Sequence, residues 1–212
     1  MKTNLKKIAF TMAEIMLVMS IIGITAVLTI PNLVDNYNEE QTIVKLRKTK
    51  NDLSRAYISA INKYGEFYLW GTSGTTQAKR ITEFLKGNYG GTASLPSGVS
   101  YDANYTIYEL EDGTTLAILP PGNTGNGFEI ITYALGAKGG NQIGKNVFSF
   151  YIDTEENIVQ VSGFGQDKDT DTGAFTGGIA SPFTVSNWAL HIGNLDYLKC
   201  NDLNWNTKTT CD

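Results

Sequence analysis

The chain has 212 residues, enough for one domain with an extension and too few for two large ones. A net charge of −4 and a pI near 5.1 argue against any general electrostatic attraction to nucleic acid. The single histidine, His191, leaves little room for histidine-based metal or nucleophile chemistry.

From the N-terminus, Lys2, Lys6 and Lys7 precede a stretch from Ile8 to Val34 that is almost wholly apolar. A secretory signal peptide has a basic start and an apolar core. This run is too long for that and lacks a clear small-x-small cut site at its end. A plain membrane anchor fits the length better, since about 20 apolar residues cross a bilayer. Neither reading explains Glu14, a charge inside the apolar run, where charges are costly and usually functional. The lysines would hold the N-terminus in the cytoplasm and place the rest of the chain outside.

Lys6-Lys7-Ile8-Ala9 followed by Phe10-Thr11-Met12-Ala13-Glu14 resembles the processing motif of type IV pilins and type II secretion pseudopilins. Pro31 also falls where pilins commonly place a proline in their first helix. Ala9 stands where the family usually has glycine. The resemblance implies that a prepilin peptidase cuts between Ala9 and Phe10 and N-methylates Phe10. It implies that Glu14 meets the Phe10 amine of a neighbouring subunit during assembly. A glutamate at this place also stabilises its own helix N-terminus, a local effect. The organisation expected is a leader at 1–9, a transmembrane and assembly segment at 10–34, an amphipathic helix half at 35–64 and a globular β domain at 65–212.

Beyond Pro31 the pattern becomes amphipathic. Ile43, Leu46, Leu53, Tyr57, Ala60 and Tyr64 recur at helical spacing, interrupted once by Lys50, and Gly65 ends the pattern. A helix from Phe10 to Tyr64 would be roughly 80 Å long, more than a bilayer needs. Its second half should therefore pack on a soluble domain. Pro31 removes an amide donor and predicts a kink.

After Gly65 comes a linker rich in Gly, Ser and Thr, with a short helix expected near Gln77–Lys86. Tyr105–Leu110 and Thr114–Leu119 flank Glu111-Asp112-Gly113, a hairpin signature. Phe128–Ala134, Val147–Asp153 and Ile158–Val161 read as further strands. Gly136 to Phe148 more weakly resembles a turn-and-strand segment of some bacterial pilin-like proteins. Tyr133 and Asn146 stand where that pattern has aspartates, so the segment reads as a turn. The fold class is α+β, one long helix on a small antiparallel sheet, which is also the plan of pilins.

Asp167, Asp169 and Asp171 alternate ahead of Gly173. Such oxygen-rich loops can hold calcium, and some major pseudopilins bind it in a late loop. The glycine placing and late glutamate of an EF-hand are missing, so the loop reads as a solvated acidic one, with calcium as the alternative. No other cofactor is expected. Gly-x-Ser-x-Gly, Walker and dinucleotide motifs are absent, and no catalytic residue is expected. His191 reads as structural or surface, and Tyr101, Tyr105, Tyr108, Phe148, Phe150, Tyr151, Trp188 and Trp205 read as core, with a surface for sugars or partners as the alternative. Cys200 and Cys211 either pair with each other or stay free. Pilins commonly close a C-terminal loop this way, and outside the cytoplasm oxidation is allowed.

The function expected is thus structural: a pilin or pilin-like subunit that polymerises into a filament. The alternatives are a pseudopilin of a type II secretion system and a membrane-anchored binding or hydrolytic domain. Partners implied by the resemblance are further copies of the chain, related minor subunits, a prepilin peptidase, and an assembly ATPase with its platform protein. The precursor would sit in the inner membrane. Removing the leader takes away three lysines and no acid, so direct nucleic-acid binding is not expected.

Overall fold

A computed structural model describes residues 11–93, 105–121, 127–136, 141–160, 182–200, 202–203 and 207–211. The chain divides into two units, Met1–Asn38 and Glu39–Asp212. Helix α1, Met12–Tyr64, begins in the first unit and ends in the second, and its helical assignment passes through Pro31 without interruption. Gly65 closes it at φ +82°, its N–H donating to the Ile61 carbonyl at 2.8 Å. A left-handed residue at a helix end favours glycine, which has no Cβ to clash.

Within the second unit the order continues with a 3-10 turn at Phe67–Trp70 and α2 at Gly74–Thr82. Six strands follow: β1 Gly87–Ala93, β2 Tyr105–Leu110, β3 Thr115–Leu119, β4 Gly127–Tyr133, β5 Val147–Asp153 and β6 Ile158–Gln160. Helix α3, Pro182–His191, and a 3-10 turn at Asp196–Leu198 complete it. The strands form one antiparallel sheet in sequence order, so β1 and β6 are its edges. The architecture is the expected α+β one. Helix α1 packs on the sheet through the predicted stripe: Ile43, Leu46, Leu53, Tyr57 and Ala60 are buried, with Ile61 and Tyr64 packed beside them.

Alternation along the strands puts Leu116, Ile118, Phe128, Ile130, Phe148 and Phe150 on the helix side. The intervening residues Tyr105, Ala117, Ile131, Tyr133 and Val147 form a second cluster on the other face. Both faces are thus buried, and β3 and β4 read as nearly continuous apolar runs. The aromatics expected in the core are there: Tyr105, Tyr108, Phe148, Phe150 and Trp188 are buried, and Tyr151 is half-buried. Tyr101 and Trp205 lie outside the described residues.

The hairpin at 111–113 joins β2 to β3 as expected: Gly113 donates to the Leu110 carbonyl, and Asp112 accepts from the Thr114 N–H, both at 3.0 Å. The turn before β5 is held by Asn146, whose side chain accepts from the Gln142 N–H at 2.7 Å.

Four elements differ from expectation, one of them helix α3, where no helix was expected. Helix α2 starts and ends earlier than Gln77–Lys86, because Leu85 and Lys86 already lead into β1. Strand β1, Gly-Asn-Tyr-Gly-Gly-Thr-Ala, carries no alternating signal. Its glycine is required all the same, since a Cβ on Gly87 would stand 2.1 Å from the Glu109 carbonyl oxygen. The supposed linker after Gly65 folds into an aromatic cluster. Trp70 is buried, and its ring centroid lies 5.5 Å from Phe67, 5.9 Å from Tyr57 and 6.3 Å from Phe128.

Candidate functional site

The first part of α1 is unlike a helix of a globular core. From Met12 to Ile30 every side chain is exposed except the half-buried Ala26, and large apolar groups point to all sides. Among the described residues this is the one helix long and apolar enough to cross a membrane.

Its few polar side chains all have partners inside the helix. The Ser20 hydroxyl donates to the Met16 carbonyl at 2.8 Å, Thr25 to Ile21 at 3.0 Å, and Thr29 to Thr25 at 2.9 Å. In hydrocarbon an unpartnered hydroxyl is costly, and a bond to the carbonyl one turn back removes that cost.

Glu14 is satisfied locally too. The Thr11 N–H and the Thr11 hydroxyl both donate to Glu14 Oε2, at 2.8 and 2.9 Å. In return the Glu14 N–H donates to Thr11 Oγ1 at 3.3 Å. This is a capping box, in which the first and fourth residues of a helix start satisfy each other's orphan donors. Thr11 was missed in the sequence, although Thr-x-x-Glu before an apolar run is its signature. Oε1 of Glu14 has no partner among the described residues. Ala9 and Phe10 lie outside the described residues, as do Asp167, Asp169 and Asp171.

At the other end of the chain Cys200 and Cys211 are joined in a disulfide, with their Cα atoms 5.9 Å apart. The loop is tied to α1 through Glu39, which accepts from the Leu195 N–H at 2.7 Å and from Lys199 Nζ at 2.8 Å. Asp196 holds the loop's far side, accepting from the Cys211 N–H at 3.0 Å. The hydrogen bond to Glu39 raises the Lys199 pKa, against the opposing effect of burial. Burial raises that of Tyr197, whose hydroxyl donates to the Gly144 carbonyl. No local signal announces Glu39 or Asp196, because their partners come from contacts far along the chain. His191 is exposed at the end of α3.

Between α1 and the start of β1 lies a cleft of about 320 Å³ lined by Lys48, Asp52, Arg55, Phe84, Lys86 and Glu111 among others. Lys48 is held there by an ion pair with Asp112.

No family model, curated protein or solved structure matches the chain. The architecture itself is pilin-like: a long helix, apolar in its first part, whose second part packs on an antiparallel sheet, with a C-terminal disulfide loop.

Proposed function

We propose that the chain is the precursor of a filament subunit of type IV pilin type. It is inserted in the inner membrane, cut between Ala9 and Phe10 by a prepilin peptidase, N-methylated on Phe10, and polymerised. Related minor subunits and an assembly ATPase with its platform protein would take part. One observation carries this reading. The apolar half of α1 is exposed on every side, with its hydroxyls satisfied internally and one carboxylate near its start.

Cleavage turns the nitrogen of Phe10 from a neutral amide into an amine. Its unperturbed pKa of about 7.7–8.0 leaves it mostly cationic near neutral pH, and methylation does not remove that capacity. Phe10 and Glu14 are four residues apart in the sequence. The Thr11 bonds occupy Oε2 of Glu14 and leave Oε1 able to accept from the amine of a neighbouring copy. A carboxylate in an apolar surrounding is far better paired than alone, so the pairing fixes axial register.

Mass spectrometry of the membrane-extracted protein should find methylated Phe10 as the N-terminus. Glu14→Leu should be cleaved and inserted normally but enter no filament. Thr11→Val, which loses the hydroxyl of the cap but keeps the carboxylate, should still assemble. If Glu14→Leu assembles as well as the parent, the carboxylate does not set register and this mechanism is wrong.

A further inference from the structure

The cleft between α1 and the start of β1 has no part in the filament reading, and its two walls carry open charges. Asp52 and Arg55 stand on the α1 wall, three residues apart and close enough to pair along the helix. Lys86 and Glu111 stand on the opposite wall, where the Glu111 N–H donates to the Lys86 carbonyl at 3.1 Å. Each couple thus sets opposite charges beside one another. Neither couple closes. Among the described residues none of these four side chains is in an ion pair.

Lys48 shows what a satisfied charge in this cleft looks like. It is ion-paired with Asp112, whose Oδ1 in turn accepts from the Thr114 N–H at 3.0 Å. The hydrogen bond to Asp112 raises the Lys48 pKa against the effect of burial, and the charges of Asp112, Asp52 and Glu111 act the same way. The two free carboxylates therefore lie near Lys48. Arg55 stands a turn further along α1, a rise of about 4.5 Å from Asp52. Leu85 and Leu110, each 7% exposed, and Phe84, 37% exposed, form the apolar part of the lining.

Size and charge together narrow the ligand. At about 320 Å³ the cleft is at the small end of small-molecule pockets, so it fits a compact ligand. The open groups are two acids and two bases, which cancel. An anion alone would leave Asp52 and Glu111 without a partner, and a cation alone would leave Arg55 and Lys86 so. A molecule with both charges a few bonds apart answers both signs at once, through charge-assisted hydrogen bonds. The planar fork of Arg55 suits a carboxylate in particular.

We propose that this cleft binds a small zwitterion, an α-amino acid with an apolar side chain. Its ammonium donates to Asp52 and Glu111, its carboxylate accepts from Arg55 and Lys86, and its side chain lies against Phe84, Leu85 and Leu110. This is a binding activity of the globular unit and does not depend on the filament reading.

The test uses the detergent-extracted full chain and measures L-leucine binding by isothermal titration calorimetry. N-acetyl-L-leucine, which lacks the ammonium, and L-leucinamide, which lacks the carboxylate, are the comparison probes. L-leucine should bind, and each comparison probe should bind about tenfold more weakly or worse. Asp52→Asn should remove the discrimination against N-acetyl-L-leucine, and Arg55→Gln that against L-leucinamide. Neither side chain holds a bond within the described fold, so both variants should melt as the parent does. Arg47→Gln, on α1 but outside the cleft lining, should bind L-leucine as the parent does. Equal binding of the three compounds would overturn the site, and so would unchanged discrimination in both variants. No binding of L-leucine at millimolar concentration would overturn it as well. Each of these results leaves the filament reading standing, because the extracted chain is measured without any filament.

Discussion

Glu129 shows what a buried charge does in this sheet. It faces the second cluster from β4, between its cross-strand neighbours Leu119 and Tyr151, and its Oε1 is inaccessible without a hydrogen-bond partner among the described residues. Burial raises its pKa above the ordinary 4.5. The folded chain therefore binds this proton more tightly than the unfolded one. The stability Glu129 contributes is complete below about pH 4.5 and is lost as pH rises through the raised folded value. Asp112 has the opposite sign. Burial pushes it up, but its bonds from Lys48 and Thr114 outweigh that and hold it below 3.8, so its contribution is present above that value and lost in acid. The two groups thus act in separate windows. Glu129→Gln should flatten the pH dependence of melting of the detergent-solubilised chain above about pH 4.5 and leave the acid limb unchanged. Parallel curves for parent and variant across pH 4–8 would show that Glu129 is solvated in the folded state. Nothing in Phe-Glu-Ile-Ile-Thr-Tyr reveals that burial, because alternation cannot tell whether the second face of a strand is covered.

The elements missing from the sequence reading are those whose stabilisation is tertiary. Strand β1 is glycine-rich and has no periodic pattern; it is a strand because β2 is there to pair with it and its backbone must approach closely. Helix α3 carried a readable signal, Pro182 at its first position followed by Val185, Trp188 and Ala189 at helical spacing. It covers β5 where the three-residue β6 does not pair, and Ser186 Oγ accepts from the Ser149 N–H at 2.8 Å. The C-terminal loop is an element held by a covalent bond and by a few polar contacts. Its ion pair from Lys199 to Glu39 has the lysine half-exposed, and such pairs contribute little, about 0–1 kcal/mol. The disulfide spans 11 residues and should dominate. Replacing both cysteines by serine should lower stability by about 2–3 kcal/mol in urea unfolding followed by tryptophan fluorescence. A loss below about 1 kcal/mol would mean that the contacts through Asp196 and Glu39 hold the loop without it.

At the scale of the whole molecule the chain is two solvents' worth of surface in one sequence. The described residues of the unit Met1–Asn38 expose apolar side chains on all sides, whereas both hydrophobic clusters lie in Glu39–Asp212. A hydrophobic core sufficient for folding thus sits in the second unit alone. A fragment starting at Glu39, secreted into an oxidising compartment, should be soluble without detergent. It should melt in one cooperative transition with the near-ultraviolet signal of packed Trp70 and Trp188. A fragment that precipitates or lacks that signal would show that the first unit is needed for the fold.

The sequence by itself determined what depends on local pattern. The apolar run with its basic flank, the stripe from Ile43 to Tyr64, the stop at Gly65 and the hairpin at Glu111-Asp112-Gly113 are all periodicity or turn chemistry, written within a few residues of one another. The motif around Phe10 and Glu14 is local too, and so is the capping box that Thr11 completes. Tertiary structure decided the rest: that both faces of the sheet are buried, that Phe67–Trp70 joins the core, and that Glu39 and Lys199 meet across the unit. Those outcomes depend on which distant segments share a core. The folded sheet brings them together and no short stretch of the chain encodes them.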